Sequence, residues 1–173
     1  MITRGIDHVA ITVPDMEEAT RFFREAFGAK LAYDLVRPDE ALSGAEIEQQ
    51  LGLPKGAVLK HMRMLHVGNS ASIELFSYET ESQQRAAHTY DFGLQHIAVY
   101  VDDIEDAAAR FTKAGGKLYS DIHLIFGEIE GTGPNNRYVY GETPWGTVVE
   151  LVTYPSPINY PDYSEAPRFT PEP

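Results

Sequence analysis

Residues 5–31 read GIDHVAITVPDMEEATRFFREAFGAKL, and residues 93–118 read GLQHIAVYVDDIEDAAARFTKAGGKL. The two stretches share a pattern of apolar and charged residues, and several identical residues recur 88 positions apart. These pairs include His8 and His96, Asp15 and Asp103, and Gly28 and Gly116. A duplication of this kind predicts two structural modules that are built to one plan.

Each copy carries the signals of a strand that is followed by a helix. In the first copy, residues 7–13 are rich in β-branched side chains, which predicts a strand. Asp15 then stands where a helix N-cap belongs, and Gly28 stands where a C-terminal glycine ends a helix. The apolar residues between them recur at helical spacing, so the helix should bury one face.

The rest of each copy predicts strands. They are expected at roughly 30–36, 58–67 and 71–78 in the first copy, and at roughly 117–122, 136–141 and 147–154 in the second. The order is β-α-β-β-β in both, which predicts an α+β fold of two paired βαβββ modules that form a curved sheet around a cleft. We place the first module at 1–78, a linker at 79–92, the second module at 93–154 and a proline-rich tail at 155–173.

The two copies also end alike, in SIELFSYE with Glu74 and in VVELVTYP with Glu150. This separation is 76 positions rather than 88, so the first copy carries 12 additional residues. The extra residues fall within 37–57, where a short helical pattern covers Ala45–Leu51. Such an insertion serves as a substrate loop in some proteins and as a passive surface loop in others.

Composition excludes several classes of partner and site. The net charge is −12, which argues against nucleic acid because phosphate binding needs a basic face. The chain has no cysteine, which excludes disulfides and thiolate metal sites. No apolar run reaches the ~20 residues of a membrane span. We expect a cytoplasmic protein that acts on a small molecule and binds neither nucleic acid nor membrane.

One His and one Glu hold matching positions in each copy. The pattern of alternation in a strand puts Glu74 on the same face as Phe76, and it puts His8 on the same face as Thr12. A single His or Glu in a strand is more often structural than a ligand. Two matched pairs favour a divalent-metal site, because His and carboxylate are typical metal ligands and a buried Glu needs a partner.

The motifs GIDHVAITVPDMEEA, IELF, GLQHIAVYVDDIEDA and TPWGTVVELV resemble those of the vicinal oxygen chelate superfamily over about residues 5–154. That family includes glyoxalase I, methylmalonyl-CoA epimerase, extradiol dioxygenases, and fosfomycin and bleomycin resistance proteins. The resemblance implies one divalent ion (Ni, Co, Mn, Zn or Fe) in the cleft between two modules. It implies as ligands His8, Glu74, His96 and Glu150.

A His-Glu-His-Glu set resembles that of glyoxalase I, whereas related epimerases often have Gln where Glu74 stands. The resemblance therefore implies a metal-dependent isomerase, epimerase or lyase that forms an enediolate from a substrate with vicinal oxygens. An Fe(II) extradiol-type dioxygenase, which needs only two His and one Glu, is an alternative. A binding or resistance protein that uses the same cleft is another.

Further roles are expectations from the motifs and from strand alternation. A carboxylate that leaves the metal can act as the base, which makes Glu150, with Glu74 second, the expected catalytic residue. The expected substrate pocket consists of Thr12, Phe76, Tyr100, Arg137, Tyr138 and Tyr140. The aromatic residues of the tail, and the resemblance, favour a homodimer. The tail itself should pack as an extended strap, on its own module or on a second subunit.

Overall fold

Each copy of the repeat folds into an open five-stranded mixed sheet that has a helix on one face. The computed structural model describes residues 5–131 and 133–171, so the outer ends of the first module and of the tail lie outside the described residues. The chain divides into two units, Met1–Arg85 and Ala86–Pro173. Within the described residues, no helix is long and apolar enough to span a membrane.

From residue 5 onward, the first unit contains five strands and two α-helices. In chain order they are β1 (His8–Thr12), α1 (Met16–Phe27), β2 (Lys30–Val36), β3 (Leu42–Ser43), α2 (Ala45–Leu51), β4 (Val58–His66) and β5 (Ser72–Glu79), with a 3-10 turn at Pro38–Glu40. The sheet order is β1-β5-β4-β2, and the short β3 also pairs with β4. The segment that carries the insertion forms β3 and α2, of which only α2 has no counterpart in the second unit, and the helical pattern predicted at Ala45–Leu51 is confirmed.

The second unit repeats this topology. Its elements are β6 (Ile97–Tyr100), α3 (Ile104–Lys113), β7 (Lys117–Leu118), β8 (His123–Leu124), β9 (Arg137–Glu142) and β10 (Val148–Thr153). The sheet order is β6-β10-β9-β7, with β8 paired to β9. The first strand of each unit lies parallel to the last, while the remaining pairings are antiparallel. The α+β class and the two βαβββ modules are therefore confirmed.

The core of each unit lies between its helix and the covered face of its sheet. In the first unit α1 packs on β4 and β5, where Ile73 and Leu75 are buried. In the second unit α3 packs on β10, where Val149 and Leu151 are buried. These buried residues alternate along their strands with Glu74 and Glu150. Each carboxylate therefore lies on the face of its own sheet that the helix does not cover.

The helices begin alike but end differently. The Asp15 carboxylate accepts a hydrogen bond from a backbone N–H of the first turn of α1, and Asp103 does the same in α3. Gly28 ends α1 with a left-handed φ of 68°. The matching Gly116 has another function, because a Cβ there would come within 2.3 Å of the Phe111 ring. The repeated glycine thus serves backbone geometry in one copy and close packing in the other.

One predicted strand is shorter than the sequence suggests. The pattern at about 117–122 predicts a continuous strand, but the structure has β7 over Lys117–Leu118 and the separate β8 over His123–Leu124. Between them the hydroxyl of Ser120 donates to the Asp121 carbonyl, and the chain bends. A short polar side chain that bonds nearby backbone competes with the strand ladder, which explains the interruption.

An ionic cluster around the buried Arg63 joins α1 to the sheet in the first unit. Arg63 on β4 is 7% exposed, and its Nε donates to Asp34 Oδ1 at 2.7 Å. Its Nη1 reaches Thr20 Oγ1 and Glu17 Oε1, each at 2.9 Å. His61 Nε2 lies 2.9 Å from the same Asp34 oxygen. The hydrogen bond from Arg63 lowers the pKa of Asp34, with a smaller contribution from His61.

Replacing Arg63 by methionine should destabilise the fold by about 3 kcal/mol, because it leaves the Asp34 charge without its main partner. Since the folded-state pKa of Asp34 is lowered, its contribution to stability is present above the unfolded pKa of about 3.9 and is lost as the pH falls through the folded pKa. Urea unfolding of wild type and variant at several pH values measures this. The difference between them should shrink below about pH 4.

Lys60→Met is the matched control. Lys60 is on the same strand and pairs with Glu79 at 3.4 Å, but their side chains are 41% and 73% exposed. Its loss should cost less than about 1 kcal/mol. Equal effects of the two substitutions would contradict the importance that we give to the Arg63 cluster.

Candidate metal centre

The first unit brings His8 and Glu74 together on the face of its sheet that α1 does not cover. The parallel register of β1 and β5 sets Ala10 opposite Glu74, so His8 reaches the carboxylate diagonally. His8 Nε2 lies 3.2 Å from Glu74 Oε2. Glu74 is 7% exposed, so its carboxylate is largely removed from water.

The second unit reproduces the pair. Ala98 on β6 lies opposite Glu150 on β10, which is the same register as in the first unit. His96 Nε2 lies 3.2 Å from Glu150 Oε2. The predicted residues of each copy are therefore in contact, at the same distance in both.

The other ring nitrogen of each histidine also has a partner. His8 Nδ1 lies 2.8 Å from Asp7 Oδ2, and His96 Nδ1 lies 2.7 Å from Gln95 Oε1. Both partners are oxygen acceptors, so Nδ1 is the donor and the Nε2 of a neutral ring presents a lone pair to the glutamate. Two acceptors at this distance repel each other unless a second proton or a metal ion lies between them.

The donor set fits a divalent ion. Imidazole nitrogen and carboxylate oxygen bind such ions at about 2.1 Å, so two ligands at right angles on one ion lie about 3.0 Å apart. The two Nε2–Oε2 distances of 3.2 Å are close to that value. Across the part of the chain that the structure describes, no group of three or more His, Asp or Glu is close enough to hold a metal. Each unit therefore supplies two candidate ligands, and a shared four-ligand centre stays a prediction.

The pKa values of His8 and of two tyrosines near the His–Glu pairs are raised. The hydrogen bond from His8 to Asp7 raises the pKa of His8, and Glu74 raises it further. Burial raises the pKa of Tyr78, and the Glu74 carboxylate adds to this. Burial also raises the pKa of Tyr140, which lies opposite Glu150 and hydrogen bonds to it. These phenols therefore stay protonated at neutral pH and can act as hydrogen-bond donors.

The surroundings of the two glutamates differ. On the central strand of the first sheet, Met64 lies opposite Glu74. On the corresponding strand of the second sheet, Tyr140 lies opposite Glu150. The Tyr140 ring also contacts the His96 ring edge-on, with centroids 5.1 Å apart. The second pair thus has a phenol beside it where the first has a thioether.

Most of the expected pocket residues lie on the face of a His–Glu pair. Thr12 lies opposite Phe76, two positions after Glu74. In the second unit, Tyr100 and Tyr138 both lie opposite Val152, two positions after Glu150. Their role in substrate binding stays a prediction.

Arg137 requires a correction. It lies opposite Thr153, which alternates with Glu150 and Val152 and so belongs to the face covered by α3. Its guanidinium pairs with Glu105 on that helix. The sequence places Arg137 on a strand near the site, but its odd register on β9 directs it to the helix side. We therefore leave it out of the substrate pocket.

Two further residues lie near the second pair without having been expected there. Tyr154 continues the face of Glu150 and Val152 and meets Tyr100 edge-on at 4.8 Å. The guanidinium of Arg168, from the tail, lies 4.4 Å from the Tyr154 ring and pairs with Glu130 at 2.7 Å. The tail therefore packs on its own unit. Alternation could have identified Tyr154, but no local signal in the proline-rich tail identifies Arg168.

A model of the Glyoxalase/Bleomycin resistance protein/Dioxygenase superfamily matches residues 5–151, which includes both His–Glu pairs. The chain belongs to this superfamily. The match spans both repeats, so the family resemblance of the sequence motifs is confirmed.

Individual relatives of the superfamily cover most of the chain. A 2-epi-5-epi-valiolone epimerase from Actinomyces sp is 34% identical over 97% of this chain and 89% of its own length. The mitochondrial methylmalonyl-CoA epimerase of Mus musculus is 27% identical over 84% of this chain and 71% of its own. The crystal structure of a glyoxalase family protein from Bacillus cereus superposes with a TM-score of 0.68 at 22% identity, covering 88% of this chain and 95% of the other.

Proposed function

We propose that this protein is a metal-dependent epimerase that inverts a carbon next to a carbonyl in a small substrate with neighbouring oxygens. The observation that carries the proposal is the pair of matched His–Glu contacts, in which each imidazole presents Nε2 to a carboxylate at 3.2 Å. Similarity to two epimerases supports the reaction type. The substrate class that we propose is an α-hydroxy ketone or a thioester.

The four proposed ligands are His8, Glu74, His96 and Glu150, so that each unit contributes half of the site. A divalent ion held there would withdraw electron density from the substrate oxygens and make the adjacent C–H more acidic. The proposed ion is Ni, Co, Mn, Zn or Fe. The chain's own task is to hold the ligands in place and to move the proton.

Proton transfer is assigned to the carboxylates. Glu150 accepts the proton from the carbon next to the carbonyl, and the Tyr140 hydroxyl hydrogen bonds to this carboxylate and can hold it in place. A second carboxyl group, for which Glu74 is the candidate, donates its own proton to the opposite face of the carbon. Glu150 then gives its proton to solvent and Glu74 takes one up, so that no net proton is consumed. Removal on one face and return on the other inverts the centre without any redox change.

The substrate is proposed to meet the tyrosines of the second unit. Tyr100, Tyr138 and Tyr140 offer hydroxyl groups and ring faces beside Glu150, which suits a substrate that carries hydroxyl groups on an apolar frame. A small-molecule partner agrees with the net charge of −12, which disfavours nucleic acid. The homodimer stays a prediction.

Hydrogen exchange tests the proposed reaction without knowledge of the physiological substrate. The full chain, loaded in turn with each of the five metals, is incubated in D₂O with a panel of α-hydroxy ketones and thioesters. We expect metal-dependent incorporation of deuterium at the carbon next to the carbonyl. NMR detects it as the loss of the proton signal of that carbon. Oxygen consumption on a catechol without any exchange would instead indicate the dioxygenase, and tight ligand binding by metal-free protein would indicate sequestration.

A further inference from the structure

In both repeats, the residue directly before the histidine supplies the acceptor for its Nδ1. Asp7 Oδ2 lies 2.8 Å from the Nδ1 of His8, and Gln95 Oε1 lies 2.7 Å from the Nδ1 of His96. The two acceptors differ in charge and in residue type, but they occupy the same position relative to the ring. This shared geometry indicates a shared task.

The hydrogen bonds of Gln95 fix which of its two side-chain atoms faces the ring. Its Nε2 donates to the Thr89 carbonyl at 2.8 Å, and a carbonyl can only accept. Oε1 must therefore face His96, and the Nδ1 of His96 must carry a proton. A carboxylate oxygen can only accept, so the same conclusion holds for His8, whose Nδ1 lies 2.8 Å from Asp7 Oδ2.

We propose that Asp7 and Gln95 are positioning residues that hold both imidazoles with Nδ1 protonated and Nε2 directed at the metal. This inference rests on the proposed function, because it assigns a role toward the ion that the four ligands would hold. A hydrogen bond to the remote ring nitrogen fixes both the tautomer and the ring orientation of a metal-binding histidine. Neither residue belongs to the ligand set.

The two positions should respond differently to substitution. Asp7→Asn keeps an oxygen acceptor and removes only the charge, whereas Asp7→Ala removes both. Asp7 is largely exposed, so its charge is screened by solvent and the acceptor matters more. Gln95→Ala removes an acceptor that the Thr89 carbonyl holds in place.

Calorimetric titration of the metal-free full chain with Zn²⁺ tests the inference through affinity rather than activity. Asp7→Ala and Gln95→Ala should each weaken binding by about tenfold, the lower end of the range for residues that support a ligand. Asp7→Asn should keep most of the wild-type affinity for Zn²⁺. Asp91→Ala is the matched control, because Asp91 pairs with the Nδ1 of His88, which is not a proposed ligand. It should leave the affinity unchanged.

NMR of the Zn²⁺-loaded protein supplies a second readout that a general loss of stability would not reproduce. Wild type should show two slowly exchanging imidazole Nδ1–H signals, and each alanine variant should lose the one from its own histidine. If the alanine variants keep both signals and a Zn²⁺ affinity within about threefold of wild type, the inference is overturned, while the proposed function is not. A wild type that binds no divalent metal would overturn the proposed function and this inference together.

Discussion

Replacing His96 by alanine is expected to weaken divalent-metal binding by more than the ~10–100-fold that loss of a supporting residue costs. The substitution removes one of the four proposed ligands and leaves Glu150, 13% exposed at its side chain, without the partner at 3.2 Å. His8→Ala should have a similar effect because the first pair has the same geometry. Elemental analysis after gel filtration, together with calorimetric titration, measures the loss.

His88→Ala provides the control for this experiment. His88 also contacts a carboxylate, that of Asp91 at 3.3 Å, but it has no counterpart in the other repeat. Its loss should leave the metal content at the wild-type level. If His96→Ala or His8→Ala retained that level as well, the proposed ligand set would be wrong.

Glu150→Gln is expected to lower the rate of deuterium exchange by about 10²–10⁴-fold, the usual contribution of a positioned general base. Much of the metal should remain, because the amide still offers a carbonyl oxygen as a ligand. An amide is too weakly basic to remove a carbon-bound proton, so chemistry should fail while binding continues. Glu74→Gln should have a milder effect if Glu74 mainly coordinates the ion.

Glu79→Gln controls for the loss of a negative charge. Glu79 ends the strand that carries Glu74, and its side chain is 73% exposed and paired with Lys60. It should exchange at the wild-type rate. Persistent exchange in Glu150→Gln with none in Glu74→Gln would reverse the roles that we assign to the two carboxylates.

The repeat alone was enough to predict the fold and the His–Glu contacts. Its recurring caps and apolar stripes place α1 and α3, and strand alternation separates Glu74 and Glu150 from the residues that the helices cover. These features are local or periodic, which is why a single sequence carries them. Whether both His–Glu pairs bind one ion depends on how the two modules are arranged. The periodic pattern within each module carries no information on that arrangement.

The features that the sequence missed depend on register and on distant contacts. The register between β9 and β10 puts the Arg137 side chain on the face opposite to that of Glu150. A shift of this register by one residue would have put Arg137 on the Glu150 face. The partners of Arg63 include Glu17, Thr20 and Asp34, which lie far from it in sequence. Arg168 reaches Tyr154 through a tail without periodicity.

The residues opposite the two glutamates give the duplication a chemical consequence. Two identical copies of one module would place the same residue opposite each glutamate. Here a thioether, from Met64, lies across from Glu74, and a phenol, from Tyr140, lies across from Glu150. The two carboxylates therefore have different neighbours, and in the proposed epimerase that difference can give one of them the task of removing a proton and the other the task of supplying one.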